Sequence, residues 1–235
     1  MDPKLAANIR AYRTPEAVQR YTSHYGFYPV EKALVETHFA PLSRVLDLAC
    51  GGGRTTIPLH ERGHRVVGLD LSGPLIAAAR RRFPYIDFQV GSYCDLPFQD
   101  GSFDAILISH NGLDYAYPET DRGRTLRECA RVLRDGGKLV FSSHNVKSLH
   151  FSPYYFRPRQ RAAWLLRHAP LAFRAAAYVR DLNSQWTFFG SWKHVSREAS
   201  AAGFQVVDMV GFRLSRSRWF NTFISPWIHY VCVRS

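Results

Sequence analysis

The chain has no apolar run approaching about 18 residues, the length needed to cross a bilayer as a helix. It also lacks the charged start, apolar middle and small-residue cleavage site of a leader peptide. The expectation is a soluble, cytoplasmic protein. Cysteine is scarce: Cys50, Cys94, Cys129 and Cys232 stand far apart with no CxxC spacing, which excludes a disulfide-stapled secreted domain. The ten histidines form no HExxH and no paired Cys/His pattern, so no metal is expected. No internal repeat or low-complexity tract occurs.

Acidic residues are also few, with 19 Asp and Glu against 31 Lys and Arg. The imbalance is local: residues 150–235 hold twelve Lys/Arg against Asp181, Glu198 and Asp208, which places +9 of the net +12 in the C-terminal third. At 235 residues and 46% hydrophobic, the chain suits one well-buried α/β domain.

Periodicity predicts a helical stretch over Thr14–Phe39 and then a strand and helix alternation from Ser43 to about Asn145. The strands are Arg44–Ala49, Arg65–Leu69, Ile86–Val90, Phe103–Ile108 and Lys138–Ser142, with helices Pro74–Arg82 and Arg122–Leu133 between them. Such alternation argues for a doubly wound parallel sheet. Residues rich in Arg, Ala, Leu and aromatics follow, read as a helical insertion. A helix Ser191–Ala202 and strands Phe204–Val210 and Trp227–Val233 complete the sheet. The layout expected is one domain, with an N-terminal helical lid (1–40), a core (41–146), a helical cap (147–190) and a C-terminal completion (191–235).

The strongest signal is the apolar strand Val45-Leu46-Asp47-Leu48-Ala49 running through Cys50 into Gly51-Gly52-Gly53 and a helix. Glycines suit a loop that turns sharply and lets its backbone approach a ligand. Asp70 closes the next strand about twenty residues on, where an acid can accept both hydroxyl protons of a ribose. A dinucleotide GxGxxG starting at Gly51 would require glycine at Thr56.

These residues resemble the S-adenosylmethionine (SAM) binding motifs of class I methyltransferases, particularly the small-molecule group that includes ubiquinone and menaquinone biosynthesis enzymes. Further blocks match in register: Gly91 to Phe98, Ser102 to Ile106 and Arg131 to Leu139. The resemblance implies a Rossmann-like seven-stranded sheet whose last strand is antiparallel. It also implies that Asp47, Ala49, Gly51 and Gly53 face the methionine half of SAM and that Leu71 borders the adenine. Two departures stand out. Ala49 replaces a frequent glycine, and Ser92 replaces the acid that often bonds the adenine amino group, leaving adenine recognition to the Ser92 hydroxyl, the Tyr93 and Cys94 backbone or another group.

Methyl transfer from a sulfonium is an in-line displacement that chiefly demands alignment in a water-poor site. By the resemblance, the fourth strand ends near the methyl group, at Ser109-His110-Asn111-Gly112-Leu113-Asp114-Tyr115, and the fifth ends in His144-Asn145. His110 also borders the cofactor there. His110 and His144 are the candidate bases. Asn111, Asp114, Tyr115, Asn145 and Trp192 are candidate acceptor contacts. Tyr21, His24, Tyr25 and Tyr28 fall on one helical face. The resemblance implies that this segment folds over the cofactor, with Tyr21 a lid residue there and Tyr25 one nearer the acceptor; plain packing of an amphipathic helix onto the sheet is the other reading. The expected reaction moves a methyl group from SAM to an O-, N- or C-nucleophile on an aromatic, anionic or quinone-like small molecule. RNA methylation, a non-catalytic SAM-binding regulator and peripheral membrane contact are the alternatives. The expected assembly is a monomer or homodimer.

Overall fold

The computed structural model describes residues 3–148, 173–180 and 185–235. Its centre is a sheet in which β1 (Arg44–Leu48), β2 (Arg65–Asp70), β3 (Asp87–Val90), β4 (Phe103–Ile108) and β5 (Leu133–Asn145) run parallel in the order β3-β2-β1-β4-β5. β9 (Trp227–Arg234) lies antiparallel to β5 and to β8 (Phe204–Val210). These seven strands are the expected sheet with its antiparallel last strand.

Two further strands correct the expectation of a wholly helical insertion. β6 (Ala176–Arg180) and β7 (Trp186–Gly190) pair antiparallel, and β7 joins β5 in parallel through His144↔Phe189 and Asn145↔Gly190. His144 also pairs with Trp227 of β9, so β7 occupies the edge of β5 that β4 leaves free beyond Ile108. An open row of backbone donors and acceptors there overrides the helical spacing of the local sequence. The rest of the insertion, 149–172 and 181–184, lies outside the described residues.

Alternation along β4 divides the core, as a period of two requires. Ile106 and Ile108 pack with Leu126, Cys129 and Val132 of α6 (Glu119–Val132) and with Val195 and Ala199 of α7 (Trp192–Ala201). Ala105 and Leu107 pack on the opposite face with Leu34 and Val35 of α3 (Pro29–His38) and with Leu59 of α4 (Thr56–Glu61). α5 (Gly73–Arg82) covers the β2–β3 edge with Ile76 and Ala79 against Phe88.

The single helical stretch expected over Thr14–Phe39 is two helices, α2 (Pro15–Thr22) and α3, and α1 (Pro3–Ala11) precedes them. Gly26 takes φ +128° and Pro29 holds the first position of α3, which together break the helix between. α1 is tied down by Asn8, which donates to the carbonyls of Tyr115 (3.2 Å) and Trp186 (2.9 Å) and accepts from the Trp186 amide at 2.8 Å. No helix among the described residues is long and apolar enough to cross a membrane. A short 3-10 turn, Gly112–Tyr115, follows β4, and α8 (Arg218–Phe223) precedes β9.

Candidate functional site

A cavity of about 650 Å³ opens at the carboxyl ends of β1, β2, β4 and β5, beneath α1 and α2. Strand ends at a switch point of a doubly wound sheet are where ligands bind. Of the residues expected there, Tyr21, Ala49, Gly51, Asp70, Leu71, Tyr93, His110, Asn111, Tyr115, His144 and Asn145 line it.

The glycine loop shows why it needs its glycines. Gly51 takes φ +56°, and a Cβ there would meet no protein atom nearer than 4.0 Å, so its backbone is open to the cavity. At Gly52 a Cβ would lie 2.6 Å from the Tyr21 carbonyl oxygen, because the end of α2 rests directly on the loop. Gly53 lies off the cavity wall; its φ of +90° and the ring of Phe88, 2.9 Å from where a Cβ would stand, give it a packing role. Ala49 also takes a left-handed φ of 60°, which accounts for glycine being frequent at that position in the resembling family.

Asp70 receives the Gly51 amide at 2.9 Å on one oxygen and the Ser72 amide at 2.7 Å on the other. Burial pushes its carboxyl above the ordinary value. Each oxygen keeps a lone pair, so the group can still accept from a ligand diol.

Asp47 does not line the cavity. Fully buried, it accepts from the hydroxyls of Thr55 (2.8 Å) and Thr56 (2.6 Å), and burial pushes its pKa up to about 6. It shares strand parity with Val45, so its side chain turns to the α3 and α4 side and secures the entry to α4. Ser92 and Cys94 also stand off the wall: the Ser92 hydroxyl accepts from the Cys94 amide at 3.1 Å, and the Cys94 thiol faces Thr125. Of that block only Tyr93 reaches the cavity.

Tyr25 is outside as well, since α2 stops at Thr22; its hydroxyl accepts from Arg82 at 3.0 Å and its ring meets Phe83 edge-on. Trp192 lies in a separate small cleft with Met209, Arg218 and Ile228, its indole N–H donating to Thr222 at 3.2 Å. Asn145 lines the cavity, but its amide is spent on the carbonyls of Asn221, Thr222 and Ser225 and on the Lys147 amide, stapling β5 to the α8–β9 connection.

At the far end, His110 and Asn111 take consecutive left-handed conformations, φ 51° and 57°, which turn β4 abruptly into the cavity wall. The His110 ring lies 5.9 Å from Tyr28, and burial, reinforced by the Arg54 cation, lowers its pKa. His144 is held differently. Asp114 accepts from its backbone amide (2.7 Å) and from Nδ1 (2.8 Å), while Nε2 meets Asn111 Nδ2 at 3.1 Å. With Nδ1 as donor, Nε2 is the acceptor.

Asp114 itself is buried behind the wall, where Arg122 donates to it at 2.6 Å and the Ser143 hydroxyl at 2.7 Å. The Arg122 guanidinium is fully buried, reaches Glu198 at 3.0 Å and lies 4.0 Å over the Phe188 ring. This relay, which orients rather than contacts, was not visible in the sequence because its members are separated by up to 84 positions.

Other cavity residues were also missed. Tyr12 packs 5.4 Å from Tyr21 and 5.7 Å from Tyr115, making a tyrosine cluster on the cavity wall. Arg54 grips Glu31 with two bonds, at 2.8 and 2.7 Å, and joins α3 to the end of β4 through Ser109 at 3.1 Å. Phe189 of β7, 4.8 Å from the His144 ring, and Trp227 of β9 close the His110 end of the cavity.

Comparison with known proteins bears on the family and the fold. A model of the methyltransferase domain matches residues 45–137. The demethylmenaquinone methyltransferase of Mycolicibacterium gilvum is 42% identical over 177 residues, covering 72% of this chain and 71% of that protein. That of Renibacterium salmoninarum is 42% identical over 114 residues, and there the chain spans about half the length of its relative, 46%. A solved structure of 1,6-didemethyltoxoflavin-N1-methyltransferase from Burkholderia thailandensis, with its acceptor and S-adenosylhomocysteine bound, superposes with a TM-score of 0.60 at 19% identity. It covers 94% of this chain and 80% of that one, a likeness of fold.

Proposed function

The chain belongs to the SAM-dependent methyltransferase family, and from that premise we propose that its cavity holds SAM at the glycine loop and a small aromatic or quinone-like acceptor at the His110 end. The observation that carries this reading is that one continuous cavity joins Gly51 and Asp70 to His110, His144, Phe189 and Trp227.

The residues fit the cofactor. Gly51 leaves its backbone open, Asp70 offers a carboxylate to the ribose hydroxyls, and Leu71, Leu75 and Tyr93 supply apolar surface for the base. Tyr12, Tyr21 and Tyr115 give the wall π faces suited to a positive sulfonium. When bound, SAM supplies an electrophilic methyl group. The chain's own task is to exclude water, align the acceptor and take up a proton where the nucleophile carries one. His110, kept as the free imidazole and facing the cavity, is the group we assign to that proton. His144, fixed through Asp114, and Asn111 orient the acceptor beside it.

Two relatives named for demethylmenaquinone support an acceptor of quinone-like chemistry, as do the aromatic walls. We place the reaction in the cytoplasm, where unpaired thiols such as Cys50, Cys94, Cys129 and Cys232 persist. The test is S-adenosylhomocysteine release from SAM with a panel of phenols, hydroquinones and anionic aromatics, and with bulk tRNA beside them. Turnover with an aromatic hydroxyl or ring carbon is expected; turnover on RNA alone overturns the reading.

A further inference from the structure

We infer that α8 and the loop before it, 211–217, form a docking surface for a lipid bilayer bearing anionic headgroups. The docking itself rests on the surface of the protein, and its consequence for the acceptor rests on the reaction proposed above.

Trp219 is 66% exposed and Phe223, one turn further along α8, is 39% exposed. Their rings stand 5.8 Å apart, side by side on one face. Leu214, in the loop before the helix, is 44% exposed. No Asp or Glu occurs from Met209 to Ser235, whereas Arg213, Arg216, Arg218 and Arg234 do. Arg216 is paired with Asp208 at 2.9 Å, while Arg213 and Arg218 are exposed and form no ion pair among the described residues.

The presentation is built rather than loose. The Gly211 amide donates to the Ser215 carbonyl at 2.8 Å, the Phe212 amide to Ser225 Oγ at 3.0 Å, and the Asn221 side-chain amide to the Ser215 carbonyl at 3.0 Å. Inside this frame Arg213 and Leu214 hold left-handed φ values of 55° and 61°. Ordinary residues are strained in that conformation, and the frame keeps both in place.

A bilayer suits these residues better than a protein partner. Indole and phenyl rings settle at the headgroup boundary, and arginines beside them meet lipid phosphates. A stable protein pair needs about 800 Å² per partner. Two aromatic rings of roughly 150–250 Å² each, together with one leucine, fall short of that. The surface is also tied to the cavity. Asn145, which lines it, binds the carbonyls of Asn221, Thr222 and Ser225, and Pro226 and Trp227 continue from α8 into the wall. Docking through α8 therefore brings the acceptor end of the cavity to the membrane, where a lipophilic acceptor is dissolved.

The test is co-sedimentation of the full chain with vesicles of phosphatidylcholine alone and of phosphatidylcholine mixed equally with phosphatidylglycerol. It is repeated on Trp219→Ala/Phe223→Ala and on Arg213→Glu/Arg218→Glu, with folding checked by circular dichroism and S-adenosylhomocysteine binding. The wild type should sediment with the anionic vesicles and release as salt rises. Each double variant should lose about ten-fold or more in vesicle affinity while keeping the ligand. Absence of vesicle binding by the wild type overturns the proposal. So does undiminished binding by both variants, which would assign the membrane to another basic segment. A dimer in solution that Trp219→Ala/Phe223→Ala disperses also overturns it, by making a second copy of the chain the occupant.

Discussion

Asp114 grips His144 twice, accepting its backbone amide at 2.7 Å and its Nδ1 at 2.8 Å. The same carboxylate holds the buried Arg122 at 2.6 Å, so one side chain both fixes an imidazole at the cavity and neutralises a cation inside the protein. Removing it leaves Arg122 with Glu198 alone. Asp114→Ala is expected to cost about 3–5 kcal/mol of stability, because a buried charge loses its counter-ion. Urea denaturation measures this, and a change within experimental error would mean that Arg122 finds water instead.

The contact between the lid and the glycine loop predicts a binding defect without a change in any polar group. Gly52→Ala places a methyl group 2.6 Å from the Tyr21 carbonyl oxygen, against backbone that cannot move without lifting α2. S-adenosylhomocysteine affinity should fall about ten-fold or more, equivalent to about 1.4 kcal/mol, with the sheet intact by circular dichroism. Unaltered affinity would show that α2 does not cover the ligand.

Ala49 carries a left-handed φ of 60° without being glycine. Ala49→Gly relieves about 1–2 kcal/mol of backbone strain and gives back about 0.4–1 kcal/mol through the unfolded chain. A net stabilisation of about 0.5–1 kcal/mol is expected from those two terms, read as a raised denaturation midpoint. A destabilised variant would show that the Ala49 methyl group, packed against Gly112, contributes more than its strain costs.

Assigning the acceptor's proton to His110 predicts the acid side of the pH profile. Burial and the Arg54 cation hold its pKa below the ordinary 6.5, so the ring stays unprotonated until the pH falls beneath that value. The acid limb of kcat/KM should therefore lie below pH 6.5 and vanish in His110→Gln, with a loss of about 10²–10⁴ in kcat for an acceptor that must be deprotonated. If the variant keeps the limb, His110 is not the base.

The parallel sheet, the glycine loop and Asp70 were legible in the sequence because each rests on a local demand: short apolar strands, a turn open to ligand, an acid closing a strand. Asp47 was misplaced although a signal existed, since its parity with Val45 turns it away from the cavity and toward Thr55 and Thr56. Tyr25 was misplaced because a helical period was carried past Thr22, where α2 ends. The β6–β7 pair and the Arg122 relay had no local signal. The strands exist because β5 outruns β4 and leaves an edge to be filled, and Arg122 is satisfied by partners at positions 114 and 198.

The central claim is that the cavity at Gly51 and Asp70 is the cofactor site, and calorimetric titration with SAM and S-adenosylhomocysteine tests it most directly. The folded wild type should bind both, and Asp70→Ala, which removes the carboxylate at the end of β2, should abolish or greatly weaken both. Binding by the wild type that Asp70→Ala leaves unchanged, or no binding by the folded wild type with and without an acceptor present, would contradict it.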